Sequence, residues 1–324
     1  MEGKVIFITG GAGFIATSLI KRLIAANEIV VYDNLSRNAL KDSDLWDHPN
    51  LRVIQGDVLD YGLLKESIPK EVDLILHMAA IAGIDTVIKD PVKTMEVNMI
   101  GTYYVLKALQ EPDLIHRIER FINFSTSEVF GINAFRVDEH APTNLQPVGE
   151  ARWTYSVSKL AGEHLTYSYY KQFGLRAVTI RPFNVYGPGQ VGEGAIHHFV
   201  VRAIKNEPLI IHGEGDQIRS WCYIDDMVDG ILLCLEREEA IGEVFNIGNP
   251  KGTITILGLA EKIIQLAGSS SQIVHAPKNY VDVELRIPSI EKARELLGGY
   301  EPKVDLNEGI RRTIKWYKNK MGVT

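Results

Sequence analysis

The stretch that most constrains the fold is ITGGAGFIA, Ile8 to Ala16, which follows directly on the first apolar run of the chain. Glycines at 10, 11 and 13 separate that run from a helix-like segment. Glycine adopts positive φ without steric cost, and its missing side chain lets the backbone approach a pyrophosphate. A helix beginning there points unpaired N–H groups at an anion. Gly10, Gly13 and Ala16 take the three small positions of a dinucleotide turn. A plain strand-to-helix turn uses glycine too, so the surrounding sequence has to decide.

The surroundings favour the dinucleotide. VIFIT is followed by a helix through Lys21–Ala26, IVVYD by a polar loop, and LRVIQGD by a short helix. VDLILHMAA precedes a helix near Pro91–Gln110, RFINFST runs into a loop, and a helix near Tyr155–Gln172 precedes RAVTIRPFN. Strands alternating with helices read as βαβ units around a parallel sheet: an α/β, Rossmann-type doubly wound fold. After Asn184 the rhythm loosens into the glycine-rich VYGPGQVGEGA; a strand EVFNIG returns, then helices near Leu257–Ala267 and Leu306–Lys318. The expected division is a dinucleotide domain over 1–182 plus about 221–249, and a smaller α/β substrate lobe over 183–220 and 250–324. With 324 residues, 45 % apolar and 23 % charged, the chain can fill both.

Composition narrows the function classes. A net charge of −6 argues against nucleic acid as partner, and the apolar runs are too short to span a bilayer. MEGKVIF enters a strand at once, leaving no secretory leader, so the expected compartment is the cytoplasm. Cys222 and Cys234 lack metal-ligand spacing and read as buried thiols; no metal is expected.

Two acids support a bound cofactor. VYDN closes the second strand and puts Asp33 where a carboxylate bonds ribose hydroxyls. That charge repels a 2′-phosphate, so NAD is favoured over NADP, with Arg37 weakening the preference slightly. Asp57, in GDV after the third strand, either meets the adenine or is a loop aspartate capping a helix. YSVSK places Tyr155 and Lys159 on one helical face. A phenol titrates near 10; lowering that by about three units takes about 4 kcal/mol, which a lysine and a cationic nicotinamide could supply. The phenolate then takes a hydroxyl proton while hydride leaves.

At these residues the chain resembles the extended short-chain dehydrogenase/reductases that modify nucleotide sugars with NAD. TGGAGFI, Asp57, HMAA, STSEVFG, YSVSK, RPFNVYGP, YIDD and RIPS occur in order along nearly the whole chain. Ala16 stands where the family usually has glycine, and ATSL replaces a small-Ser-His-Leu. The resemblance adds Phe14, Ile15, Asn34, Val58, Ala79 and Ala80 to the cofactor wall, with Ser125 on the nicotinamide side. It gives Thr126 the hydroxyl that polarises the sugar O4, beside Tyr155 and Lys159, and assigns Asn184, Arg219 and Arg286 to the substrate diphosphate. It also implies a homodimer formed by the Pro91–Gln110 and Tyr155–Gln172 helices, whose Tyr103, Tyr104, Tyr167, Tyr169 and Tyr170 exceed what one sheet face buries.

Oxidation at C4 makes a 4-ketose, from which three reactions diverge. Glu128 in Thr126-Ser127-Glu128 is a ready C5 base for a 4,6-dehydratase, although Ser127 replaces the aspartic acid common in that subgroup. The GDQIRSWCYIDD stretch, Glu193 and Asp85 also sit at dehydratase substrate positions, without the usual lysine after Glu193 (Gly194 here) or the Ser-His before Asp85. RWTYSVSK instead resembles UDP-glucuronate-type decarboxylases. The leading expectation is a 4,6-dehydratase, with decarboxylase and 4-epimerase as alternatives and a non-catalytic dinucleotide-binding relative as the remote one.

Overall fold

Ile6 and Ile8 point to one side of the first strand and Phe7 to the other, and both sides are buried. Ile6 and Ile8 join a core with helix Phe14–Leu23, while Phe7 joins a second core with Leu64, Leu106 and Tyr169. A strand covered on both faces needs apolar residues without interruption, which is why these runs do not alternate with polar ones. The computed structural model describes residues 1–110, 114–278 and 280–323. Its main sheet has seven strands in the order Val244–Ile247, Ala177–Pro182, Arg120–Phe124, Leu74–His77, Val5–Thr9, Glu28–Asp33 and Leu51–Gln55. All the pairings in it are parallel. The winding direction reverses between Val5–Thr9 and Leu74–His77, the crevice where doubly wound sheets bind ligands.

A second, four-stranded sheet joins Thr253–Thr255, Ile218–Ser220, Leu285–Pro288 and Asn133–Val137. Two strand pairs complete the smaller side: Cys222–Tyr223 on Val185–Tyr186, and Ile273–Ala276 on Leu209–His212. Cys222 and Cys234 are buried and free. Among the described residues no helix is long and apolar enough to cross a membrane.

Local structure departs from the sequence expectations in four places. The first helix runs Phe14–Leu23 and does not continue to Ala26, because Asn27 turns the chain back into the next strand. Its Nδ2 donates to the Leu23 carbonyl at 2.7 Å and its Oδ1 accepts from the Lys4 N–H at 3.0 Å. The helix expected over Pro91–Gln110 is an α segment Pro91–Met95, a π turn Glu96–Ile100 and a second α segment Gly101–Ala108. After Phe124 the chain makes a 3₁₀ turn, Ser127–Phe130, and then adds the strand Asn133–Val137, where only a loop was expected. The long helix spans Arg152–Phe173, one turn earlier than expected, and the late helices span Ile256–Ala267 and Leu306–Met321.

Gly10 sits at the switch point with φ +71°, and a Cβ there would stand 2.5 Å from the Ala79 backbone nitrogen. Gly10→Ala is therefore expected to cost at least about 1–2 kcal/mol from the left-handed backbone alone. Thermal unfolding of the variant, followed with and without NAD, measures both the loss of stability and the loss of cofactor response.

Candidate active site

Every position expected to touch the cofactor lines one cleft of about 530 Å³ at the switch point. These are Gly10, Gly13, Phe14, Ile15, Asp33, Asn34, Asp57, Val58, Ala79, Ala80, Ser125, Tyr155 and Lys159. The turn is closed by the Gly13 N–H donating to the Gly10 carbonyl at 3.1 Å. Asp33 Oδ2 accepts from the Ala12 N–H at 3.0 Å and Oδ1 from the Leu35 N–H at 2.7 Å, so the carboxylate is fixed at the end of its strand. Burial pushes the Asp33 carboxyl above the usual range, and those two N–H bonds pull it back. Asp57 Oδ1 caps its own loop through the Leu59 N–H at 3.0 Å, and Lys93 lies 3.9 Å from the carboxylate. The left-handed Gly10, the close backbone approach and the tethered Asp33 carboxylate fit a dinucleotide with a free ribose diol. Arg37 is engaged elsewhere: its guanidinium donates to the Ala82 carbonyl and to Thr86 Oγ1, both at 2.9 Å.

The opposite wall carries the groups expected to react. Thr126 heads the 3₁₀ turn, its Oγ1 accepting from the Glu128 N–H at 3.1 Å. Tyr155 and Lys159 project from Arg152–Phe173. Burial and the nearby Glu128 charge push the Tyr155 phenol up to about 12, against the pull of Thr126 and Arg286. The phenol is therefore raised here and not depressed as expected, because desolvation is the largest of these influences. Burial brings Lys159 down to about 8, with Glu163 opposing.

Two buried networks hold these groups in place. Glu163, one turn beyond Lys159, accepts from Arg181 Nε at 2.9 Å and Nη2 at 2.7 Å, and from the Ser125 hydroxyl. Ser125 thus faces Glu163 from the cleft wall. On the other side His77 sits between Thr9 and Thr102 at 2.8 and 2.9 Å. The Thr102 hydroxyl proton goes to the Asn98 carbonyl at 2.6 Å, so the ring must donate from Nε2 and accept at Nδ1. Asn98, turned inward by the π turn, donates to the Ile81 carbonyl at 3.0 Å and contacts Ser158 Oγ at 3.2 Å; that hydroxyl donates to the Tyr155 carbonyl at 2.7 Å. The strand ends, the cleft floor and the Tyr155 turn are therefore one connected unit.

Glu128 is caged by arginines. Its Oε1 lies 2.9 Å from Arg152 Nη2 and 3.4 Å from Arg286 Nη1. Asp282 bridges Arg152 at 2.9 Å and Arg219 at 3.2 Å. Three guanidiniums thus face two carboxylates, leaving a positive excess, and the Nε atoms of Arg152 and Arg286 are buried without a hydrogen-bond partner among the described residues.

The chain matches the family model described as the NAD dependent epimerase/dehydratase family over residues 6–248. It belongs to that family. As a member it is an NAD-dependent enzyme, the cofactor that the Gly10 turn and Asp33 accommodate. It is 35 % identical over 325 residues to UDP-glucuronic acid decarboxylase 5 of Arabidopsis thaliana, covering 98 % of this chain and 90 % of that protein. Among solved structures it superposes on an epimerase from Methanothermobacter thermautotrophicus with a TM-score of 0.89 and 30 % identity, covering 99 % of this chain and 94 % of that one. It also superposes on the UDP-glucuronic acid 4-epimerase of Bacillus cereus, solved with UDP-glucuronic acid and NAD. There the TM-score is 0.86 and the identity 31 %, over 98 % of this chain and 99 % of that one.

Within this family member the expected substrate residues divide. Ser127, Asn184, Glu193 and Arg286 line the cleft with Thr126 and Glu128; Asp85 and Arg219 do not. Asn184 Nδ2 is bound to the Ser220 carbonyl at 2.9 Å. Arg219 is turned into the wall, donating to Asp282 and to the Val283 carbonyl at 2.5 Å. Asp85 meets the cleft through its backbone N–H, which donates to Glu193 at 2.9 Å. Sequence reasoning missed Arg152, Asp282, Asn98 and Glu163. Helical spacing alone could have found two of them: Arg152 precedes Tyr155 by three positions, and Glu163 follows Lys159 by four, so each shares its neighbour's face.

The depressed Lys159 gives a signed pH effect. Between about 8 and its ordinary 10.5 the unfolded chain holds a proton that the folded chain has released, so stability rises with pH across that window. Below about 8 the buried ammonium is carried at full cost. With NAD removed, Lys159→Met is expected to melt higher than the parent at pH 7, with the gap closing as pH approaches 10, while turnover collapses. Paired calorimetric scans at the two pH values check the sign.

Proposed function

We propose that the chain acts on a nucleotide-diphospho-hexuronate of the UDP-glucuronate kind, oxidises it at C4 and releases its C6 carboxylate as CO2. The observation that carries this is the arginine excess around Glu128, with Arg286 at the cleft wall and its Nε unpartnered, beside Tyr155. A substrate carboxylate can compete with Glu128 for Arg286 through a charge-assisted pair. The dehydratase reading loses weight in the same place. Glu128 is held by two guanidiniums and is not free to act as a C5 base, and Ser127 offers no strong acid for the C6 hydroxyl. The resemblance to UDP-glucuronic acid decarboxylases along nearly the whole chain points the same way.

NAD, when bound, supplies the acceptor for the C4 hydride and its later donor. The protonated Lys159 stabilises the Tyr155 phenolate, which, with the Thr126 hydroxyl beside it, takes the C4 hydroxyl proton and becomes the neutral phenol. The product is a β-keto acid. When its C5–C6 bond breaks, the electron pair enters the C4–C5 enolate and CO2 departs. Tyr155 is placed to protonate the enolate oxygen; C5 then takes a proton that originates in solvent as the oxygen returns its proton to Tyr155, which leaves the neutral ketone. Asn184 and the Trp221 ring, both on the lobe side of the cleft, are assigned to the nucleotide-sugar. The second reading, a 4-epimerase that keeps the carboxylate, is supported by the likeness to the Bacillus cereus enzyme.

Incubation with UDP-glucuronate carrying ¹³C at C6, in deuterated water, is expected to yield labelled CO2 and a pentose with deuterium at C5. A labelled hexuronate epimerised at C4, with no CO2, would move the assignment to the epimerase. Arg286→Met is expected to lower turnover about a hundredfold or more, as for removal of a single preorganised donor.

The proposal includes a homodimer. Val92, Met99 and Tyr103 on one helical stretch are 68, 37 and 42 % exposed, and Val157 and Tyr167 on Arg152–Phe173 are 40 and 49 % exposed. Tyr169 is buried in the core, and Tyr104 and Tyr170 are half-buried against it, so the surplus is smaller than the tyrosine count suggests. What is left is an apolar face across two neighbouring helices, suited to pairing with its own copy. Light scattering should give twice the chain mass, falling to the monomer mass in Tyr103→Glu/Tyr167→Glu.

A further inference from the structure

The carboxylate of Glu193 is occupied from the cofactor side. Its Oε1 accepts from Thr86 Oγ1 at 2.6 Å and from the Thr86 N–H at 3.1 Å, and lies 3.4 Å from Arg37 Nη2. Its Oε2 accepts from the Asp85 N–H at 2.9 Å. Arg37 in turn holds the Ala82 carbonyl and Thr86 Oγ1. Three segments distant in sequence are thereby fastened together: the loop after the Asp33 strand, the entry to helix Ile84–Lys89, and the glycine-rich loop before Ala195. Arg37, Gly83 and Glu193 all line the cleft that holds the dinucleotide turn.

The backbone is shaped around this carboxylate. Gly83 has φ +101°, and a Cβ there would stand 2.5 Å from Glu193 Cδ. Gly192, at φ +81°, packs on the Arg37 guanidinium, and its Cβ would lie 3.1 Å from Arg37 Cζ. Two left-handed glycines are thus used to let one acid and one base meet across the cleft.

We propose that Glu193 is the pin of a clasp that closes the cofactor cleft and retains NAD between turnovers, a positioning residue for the cofactor and not a ligand of the sugar. The pin comes from the glycine-rich loop before Ala195, and its receptors are Arg37 in the loop after the Asp33 strand and Asp85 and Thr86 in the first turn of helix Ile84–Lys89. For the cofactor to leave, the lobe loop must lift, and all of these bonds break together. A reaction that takes a hydride and returns it needs its cofactor to stay; the clasp supplies a structural reason for staying that holds whichever sugar is turned over.

The test uses purified holoenzyme loaded with radiolabelled NAD and chased with an excess of unlabelled NAD. Removing a charged hydrogen-bonding partner is expected to speed release of label in Glu193→Gln about ten- to hundredfold. Thr86→Val, which deletes one donor and keeps the side-chain shape, should show a smaller increase in the same direction. It also carries the test if Glu193→Gln does not fold. Thermal unfolding of each variant without NAD separates a clasp from a general brace. Faster release with the cofactor-free melting temperature within a degree or two of the parent supports the proposal. Unchanged release in both variants, or a fall in cofactor-free stability with no change in release, overturns it.

Discussion

Everything at the functional end of this molecule is built outward from one contact, the approach of Gly10 to the backbone of Met78 and Ala79. Two parallel strands that wind away from each other leave a crevice between their ends, and only a residue without a side chain lets the first turn descend into it. Once that turn is down, the C-terminal ends of neighbouring strands deliver their loops to the same place. Asp33 ends the second strand, and Ser125 and Thr126 follow the fifth. Asn184 follows Ala177–Pro182. Parallel pairing is what puts all these ends on one edge.

The charged groups around the cleft contribute specificity more than stability. Arg181 with Glu163, and Arg152 and Arg286 with Glu128, are largely or wholly withdrawn from water, where desolvation offsets most of the Coulomb attraction. Their value lies in geometry. Glu163 fixes Ser125 and faces Lys159, and the Glu128 cage holds a positive surplus beside the phenol. The phenol itself is high and the ammonium low in the cofactor-free chain, so burial sets both groups away from their ordinary values before any substrate arrives. A site prepared in this way responds strongly to an added cation or anion, because little water is present to screen it.

The sheet, the dinucleotide turn and the cofactor choice were legible in the sequence because each depends on short-range patterns: apolar runs, glycines beside them, an acid at a strand end. The Tyr155–Lys159 pair was legible for the same reason. The π turn at Glu96–Ile100 was hidden inside a continuous helical pattern, since nothing in those residues breaks the helix; what goes with the turn is a set of bonds from Asn98 to Ile81 and Ser158, both distant in sequence. The Arg152–Asp282–Arg219 chain was hidden because its members lie 130 and 63 positions apart. Arg219 and Arg286 looked alike as arginines suited to a phosphate. Their strands even pair the two residues directly; only their side-chain partners show that Arg286 lines the cleft while Arg219 is spent on Asp282 and the Val283 carbonyl. The reaction subtype proposed above rests on the surroundings of Glu128, and those too come from distant segments.

The strand Asn133–Val137 lies at the edge of the smaller sheet, and its one neighbour there is Leu285–Pro288. This places a time order on the birth of the molecule. A chain emerging from the ribosome can assemble the cofactor crevice from its earlier residues, yet the piece following Glu128 waits about 150 residues for the segment it pairs with. Arg286 arrives on that same segment, so the charge cage and the edge pairing close in one late step. Such long-range closure is slow compared with local helix formation. Until that segment is made, Glu128 has the nearer of its two arginines, Arg152, and lacks the other.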